Sequence, residues 1–188
     1  MKLNAFILAG GKSSRMGADK GLVHLSGKPM IQYIIDILEQ LKLPIQIVSN
    51  NSEYKHFGYP VFKDLISDKG PIGGIYTALS SSDSEMNLIL SCDTPFVNSA
   101  LIECLIAECE NQNVTISGYE GWQHPLIGIY SKSGIKTFQS QIEKDDLKLS
   151  EANEILHVKA VPMDNIKGIT ARAFDNINTI EELKEAGN

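Results

Sequence analysis

A short apolar segment near the start of the chain runs directly into two glycines and a series of cations. Residues 5–9 have the length and hydrophobicity of a buried strand, and Gly10 and Gly11 follow at once. Glycine has no Cβ, so its main-chain amide can approach an anion closely and its φ can be positive. Ligands of α/β proteins bind at the carboxyl ends of parallel strands. This order of residues therefore predicts an α/β protein with a phosphate-binding loop after its first strand.

The segment 10–28 is basic, although the whole chain has a formal net charge of -6. It contains one acid, Asp19, and four cations: Lys12, Arg15, Lys20 and Lys28. Arginine can bind two phosphate oxygens at once, whereas lysine is a compact charge on a flexible stem. The alternative, a solvated Gly/Ser surface loop, explains neither the preceding strand nor the cation spacing. The segment matches neither the P-loop nor the dinucleotide fingerprint, which argues against both of those nucleotide-binding folds.

Length and composition favour one cytoplasmic domain. The chain has 188 residues, 43% of them hydrophobic, which is ample for a single core. Its acidity argues against nucleic-acid binding, and no apolar run approaches the roughly 20 residues of a membrane span. The apolar N-terminal run is too short for a signal peptide. We therefore expect a single domain in the cytoplasm, with no nucleic-acid partner and no membrane contact.

The cysteines and histidines do not indicate a zinc site. The three cysteines, Cys92, Cys104 and Cys109, make an odd count without a Cys-x-x-Cys spacing, as expected of thiols in a reducing compartment. Strand alternation should turn Cys92 away from the ligand edge. The four histidines have no ligand-like spacing.

Hydrophobic periodicity predicts alternating strands and helices in the first two-thirds of the chain and a less regular remainder. A helix is expected to open at Pro29, and a capping box is expected at Thr179 and Glu182. The other predicted helices cover residues 70–79, 99–110, 133–142 and 145–154. The predicted strands cover residues 45–48, 60–62, 86–91, 114–118, 125–130 and 157–161, with 114–130 forming a hairpin. The expected fold is a three-layer α/β sandwich with a mostly parallel, Rossmann-like sheet and a small antiparallel hairpin.

Several motifs together resemble a known enzyme family. The motif Leu8-Ala9-Gly10-Gly11-x-x-x-Arg15-Met16-Gly17-x-Asp19-Lys20 is similar to the signature of nucleotidyltransferases that attach a nucleoside monophosphate to a phosphorylated acceptor. Its residues are most similar to the signature of the molybdenum cofactor guanylyltransferases. The segments 92–96, 124–126 and 176–179 extend the resemblance along the chain. It implies a Mg²⁺-dependent transfer of GMP from GTP to the terminal phosphate of molybdenum-loaded molybdopterin, with release of pyrophosphate.

The resemblance also implies roles for individual residues. The catalytic residues would be Arg15, Lys20 and Asp93. The nucleotide- and cofactor-binding residues would be Leu8, Ala9, Gly10, Gly11, Lys20, Asn50, Asp64, Gly70, Pro71, Gly74, Asp93, Asn176 and Asn178. Gly70, Pro71 and Gly74 would line the guanine pocket, and Asn51 is an alternative to Asn50. The partners would be GTP and molybdopterin, with transient contact to other molybdenum-cofactor enzymes. The nucleotide side would occupy about residues 1–110 and the acceptor side about 111–188 of one domain, and the protein would be a monomer.

Asp93 is the expected metal ligand. It follows a buried apolar strand at the point where the chain turns. Mg²⁺ prefers oxygen ligands and often takes only one or two protein carboxylates, so a lone aspartate suffices. From the residues alone, an aspartate before Thr-Pro is equally typical of a turn or a helix cap, and Asp64 is an ordinary loop carboxylate.

The acceptor-side residues leave alternatives open. Substrate contact and a structural hydrogen bond are both open for His124, and Tyr119 and Trp122 are assigned to hairpin packing in preference to a platform for a pterin ring. The competing functions are a cytidylyltransferase, a sugar-phosphate nucleotidyltransferase, and a non-catalytic carrier of the nucleotide or pterin.

The transfer itself needs no general base, because a phosphate nucleophile is already ionised near neutrality. Catalysis should therefore rest on positioning and charge stabilisation by Mg²⁺, Arg15, Lys20 and main-chain amides.

Overall fold

The computed structural model describes residues 2–10, 19–109 and 114–187. Gly11 and Arg15 lie outside these ranges, so their assignments stay predictions. Nine strands are present in the described part: β1 Leu3–Leu8, β2 His24–Leu25, β3 Lys28–Pro29, β4 Ile45–Val48, β5 Val61–Phe62, β6 Met86–Ser91, β7 Val114–Tyr119, β8 Trp122–Ser131 and β9 Lys159–Pro162. The α-helices there are α1 Met30–Gln40, α2 Gly70–Ser81, α3 Ser99–Glu108, α4 Ile135–Glu143, α5 Leu149–Ile155 and α6 Ile180–Ala186.

A mixed sheet of seven strands forms the centre of the described structure. Its order is β5-β4-β1-β6-β8-β7-β9, and β2 pairs separately with β3. Strands β5, β4, β1 and β6 are mutually parallel, β8 is antiparallel to both neighbours, and β9 is parallel to β7. The predicted mostly parallel sheet is confirmed. The carboxyl ends of β1, β4, β6 and β7 therefore share one edge, where a ligand site is expected.

Helices cover both faces of this sheet because the side chains of β1 alternate between two apolar clusters. Ala5 and Ile7 join the cluster that includes the apolar residues of α1 and α3. Phe6 and Leu8 join the cluster formed with α2, α4 and α5. All four of these strand residues are buried. The predicted three-layer arrangement is therefore confirmed.

The hairpin between β7 and β8 is tighter than predicted. Its strands extend to Tyr119 and Trp122, so only two residues form the turn. These are Glu120 and Gly121, with φ of 47° and 80°. Two successive positive φ values are typical of the type I′ turn that joins tightly paired strands.

Some predicted boundaries were wrong. The helix placed at Pro29 begins at Met30, with Pro29 as its N-cap residue. The predicted helix from 145 begins only at Leu149, and the strand predicted from 157 begins at Lys159. Asp145 and His157 have φ of 56° and 52°, and neither a helix nor a strand accepts a positive φ.

The C-terminal elements were better predicted. The capping box is confirmed: the Thr179 side chain accepts from the Glu182 amide, and the Glu182 side chain accepts from the Thr179 amide. A short 3-10 helix, Ala171–Phe174, precedes these elements. Over the described ranges, the search for a helix long and apolar enough to cross a membrane found none.

Candidate active site

A cleft of about 620 Å³ opens at the carboxyl edge of β1, β4 and β6. The predicted binding residues that line it are Leu8, Gly10, Asn50, Asp64, Gly70, Pro71, Gly74 and Asp93. Ala9 does not line the cleft, because its side chain is buried in the core beneath it. The structure thus brings together one loop or turn from each of the parallel strands and the beginning of α2.

Main-chain hydrogen bonds align the ends of the central strands. The Cys92 amide donates to the Leu8 carbonyl at 3.1 Å, and the Ala9 amide donates to the Val48 carbonyl at 2.9 Å. These bonds extend the parallel pairing beyond the last strand residues. Gly10 and Asp93 consequently leave the sheet side by side.

Lys20, Asp93 and Asn178 form a polar cluster at this edge. The Lys20 ammonium lies 3.6 Å from the Asp93 carboxylate and donates to the Asn178 side-chain oxygen at 2.5 Å. The Ile177 amide donates to the Asp93 carbonyl at 2.9 Å, which fixes the C-terminal segment against the end of β6. Three distant parts of the chain therefore meet where a phosphate and a cation could be bound.

A second cluster holds the turn that carries Lys20. Asp19 accepts from the buried Tyr54 hydroxyl and, at 3.1 Å, from the Asn51 side-chain amide. Burial, more than the neighbouring charges, raises the pKa of the Tyr54 hydroxyl, so it stays a donor. A Cβ on Gly21 would lie 2.5 Å from the Tyr54 hydroxyl oxygen, so only glycine fits there without rearrangement. Sequence reasoning gave Asp19 no role beyond its place in the motif and missed Tyr54, because no local pattern marks a contact between a loop and a distant 3-10 helix.

Asn50 and Asp64 form a pair on the opposite side of the cleft from β6. The Asn50 side-chain amide donates to Asp64 at 2.9 Å, and the Asn50 side-chain oxygen accepts from the Asp64 main-chain amide at 3.1 Å. Burial raises the pKa of the Asp64 carboxyl, and the hydrogen bond from Asn50 opposes this rise. Asn50 and Asn51 thus have different partners, Asp64 for the first and Asp19 for the second.

The beginning of α2 provides a flat wall. Gly70 has a φ of 55°, which favours glycine, and a Cβ on Gly74 would lie 3.2 Å from Leu8. Gly10, by contrast, does not have the positive φ that glycine permits at this position. No described atom outside its chain neighbours lies within 4 Å of the position a Gly10 Cβ would occupy. Its main chain therefore borders open space in the cleft.

Comparison with known proteins identifies the family. Residues 5–156 match the MobA-like NTP transferase domain. The chain belongs to this family. It is 42% identical over 186 residues to a probable molybdenum cofactor guanylyltransferase of Flavobacterium johnsoniae, covering 97% of this chain and 95% of the relative. It is 33% identical over 192 residues to the molybdenum cofactor guanylyltransferase of Haemophilus influenzae, covering 97% and 96%.

Solved structures agree with this membership. The fold matches molybdopterin-guanine dinucleotide biosynthesis protein A of Archaeoglobus fulgidus with a TM-score of 0.82 and 25% identity, covering 98% of this chain and 96% of that one. The predicted family resemblance and the assignment as a nucleotidyltransferase are confirmed. Asn176 and Asn178 lie beyond the matched family domain, which ends at residue 156.

Of the carboxylates that line the cleft, Asp93 is the one at the end of β6 and beside Lys20. No group of three or more His, Cys, Asp or Glu residues that could hold a metal was found among the residues described. The Asp93 Oδ1 atom is buried and accepts no hydrogen bond from them. An unsatisfied, buried carboxylate oxygen is costly without a ligand. Because Mg²⁺ keeps several waters and completes its shell with substrate phosphates, Asp93 fits it.

Cys92 follows its predicted orientation. Its side chain belongs to the apolar cluster on the α1 and α3 side, and burial raises the pKa of its thiol. A thiol in such surroundings is inert toward nucleophilic chemistry.

The acceptor-side aromatic residues divide into a packed group and an exposed one. The Tyr119 ring stacks on Phe174 with 4.8 Å between centroids, and the His124 ring lies 4.5 Å from Phe174. Burial lowers the pKa of His124, which favours its neutral form. Trp122, however, is 76% exposed. Hairpin packing is therefore correct for Tyr119 and wrong for Trp122.

Proposed function

We propose that this chain transfers GMP from GTP to the terminal phosphate of molybdenum-loaded molybdopterin, forming molybdopterin guanine dinucleotide and releasing pyrophosphate. The observation that carries the proposal is the meeting of Lys20 with Asp93 at the rim of the cleft, 3.6 Å apart. The names of its relatives point to the same reaction.

The cleft suggests how the nucleotide would lie. The base and ribose would occupy the side formed by Asn50, Asp64 and the beginning of α2, where polar side chains face a glycine-lined wall. The triphosphate would then extend past Gly10 toward Asp93 and Lys20. The main chain at Gly10 would supply neutral donors for phosphate oxygens.

Lys20 would do most of the charge stabilisation provided by the described residues. Its ammonium is only partly exposed and already lies between two oxygen acceptors, Asp93 and Asn178. A phosphate entering this space would add a third acceptor to a cation that is held in place. Preorganised charge of this kind contributes more than a mobile surface lysine, because little reorganisation remains at the moment of reaction.

The attacking group needs no base among these residues. A terminal phosphate is ionised near neutrality, so the task of the site is to hold two polyanions in line despite their repulsion. Asp93 would hold Mg²⁺, which neutralises charge on the phosphates and polarises the phosphorus that is attacked. Arg15 would add a cation from the loop.

We also propose that the protein is a monomeric, single-domain protein of the cytoplasm with transient contacts to other molybdenum-cofactor enzymes.

The decisive experiment measures product and base preference together. Purified protein, Mg²⁺ and molybdenum-loaded molybdopterin should release pyrophosphate with GTP and not with CTP. Calorimetric titration without acceptor should show the same preference. Release with CTP would instead indicate a cytidylyltransferase, and nucleotide binding without release would indicate a carrier.

A further inference from the structure

The exposed indole of Trp122 lies at the same edge of the sheet as the transfer site. Strands β7 and β6 run in the same direction, because β8 is antiparallel to both. The last residue of β7, Tyr119, therefore lies at the same edge of the sheet as Asp93, which follows β6. Trp122 pairs directly with Tyr119 across the two-residue turn. The side chain therefore stands at the rim of the ligand-binding edge, 76% exposed.

Trp122 shares a face with aromatic residues that are already stacked. Residues directly opposite each other in an antiparallel pair point to the same side, as do residues two apart along a strand. Trp122 therefore points to the same side as Tyr119 and His124, both of which lie against the Phe174 ring. The indole is the exposed aromatic side chain on this face of the hairpin.

The aromatic group is tied to the reaction centre by a short piece of chain. Phe174 is three residues before Ile177, whose amide donates to the Asp93 carbonyl. Three extended residues span at most roughly 10 Å. The two rings that flank Trp122 on its face, Tyr119 and His124, are thus held against the same short segment as the main chain of Asp93.

The strand order separates this group from the nucleotide side. Asn50 and Asp64 follow β4 and β5, on one side of β6, whereas β8 and β7 lie on the other side. Trp122 belongs to β8, which is three strand spacings, about 15 Å, from β4, the strand that Asn50 follows. A flat ring against Trp122 would therefore belong to the acceptor and not to the guanine.

We propose that Trp122 stacks on the pterin ring of the acceptor and so forms the ring subsite of the second substrate. This inference rests on the proposed function for the identity of the acceptor. Stacking on tryptophan suits such a ring, because a flat heteroaromatic system gains area and π contact on an indole without needing a side-chain hydrogen bond.

The first test separates the two substrates kinetically. Trp122→Ala should raise the KM for molybdopterin about ten-fold or more and leave the KM for GTP unchanged, while Trp122→Phe should restore most of the affinity. Ile155→Ala, which removes another exposed apolar side chain at the end of α5, is the matched control and should change neither constant.

The second test does not require turnover. Trp122 is the only tryptophan of the sequence, so intrinsic indole fluorescence reports on this position alone. Molybdopterin should quench it, and GTP with Mg²⁺ should not. Free N-acetyltryptophanamide in the same solutions corrects for absorption by the pterin.

The outcomes distinguish this inference from the proposed function. Normal transfer by the wild type with an unchanged molybdopterin KM in Trp122→Ala overturns the inference alone and assigns the indole to another occupant. Equal quenching by GTP also overturns it. Trp122-dependent binding of molybdopterin without transfer supports the inference and refutes the proposed function. If the wild type neither binds nor uses molybdopterin, both are wrong.

Discussion

Removal of the Tyr54 hydroxyl tests whether the turn at Asp19 positions Lys20. This hydroxyl is fully buried and donates to the Asp19 carboxylate. Lys20 lies between Asp19, which accepts this bond, and Gly21, which packs against the same side chain. Tyr54→Phe keeps the ring and removes only the oxygen, so the change tests the hydrogen bond to Asp19 alone.

The expected losses of stability and of kcat follow from the hydrogen bond that Asp19 would lose. Asp19 would keep its bond from Asn51 at 3.1 Å, but its other carboxylate oxygen would lose the buried Tyr54 hydroxyl as a partner. Such losses cost about 1 to 3 kcal/mol of unfolding free energy. Displacement of a catalytic group by about 1 Å can lower a rate by 10²-fold, so we expect kcat to fall by roughly ten- to hundred-fold.

Urea unfolding and steady-state kinetics measure both effects. Tyr59→Phe is the control, because its hydroxyl also donates to a carboxylate, that of Glu39, but on the surface. We expect little change in kcat for this control. If Tyr54→Phe kept both the stability and the kcat of the wild type, the hydrogen bond from Tyr54 to Asp19 would have no role in placing Lys20.

Other outcomes follow from the site. Lys20→Ala or Asp93→Ala should abolish pyrophosphate release while urea unfolding stays close to the wild type; near-normal rates in either variant would refute its role. Asp64→Asn should weaken GTP binding in calorimetry. It should also stabilise the fold at pH 7, because burial raises the folded-state pKa of Asp64 and so penalises the charged form. That gain should shrink as pH falls toward 3.8, where the wild-type carboxyl also becomes protonated, and urea midpoints across pH test this sign. The NMR titration of His124 should have its midpoint below the ordinary value of 6.5, and a higher midpoint would contradict its burial against Phe174.

The strands of the parallel half could be predicted because their burial is visible in composition. The predicted bounds of β4 and β6 agree with the structure, since a strand covered on both faces is largely apolar, with one interior polar residue in each, Gln46 and Asn87. Asp93 was selected for the same reason, because it follows such a strand, whereas Asp64 was selected only through the family resemblance.

The later boundaries could not be predicted from local pattern. Asp145 and His157 take positive φ without being glycine, and such backbone is imposed by the packing of neighbouring elements. The Asp19 and Tyr54 contact joins residues 35 positions apart and depends on the assembled fold. Trp122 was misassigned because a tight turn leaves its indole at the tip, and apolarity alone does not show which residues of a hairpin are covered.

The bond between Lys20 and Asn178 spans 158 positions of sequence. During synthesis, the strands that hold the nucleotide side could pair long before Asn178 leaves the ribosome. A nascent chain would then have a folded nucleotide cleft with its principal cation still unanchored. Competence for transfer would arrive only with the last contacts to form, which would protect an unfinished enzyme from consuming GTP.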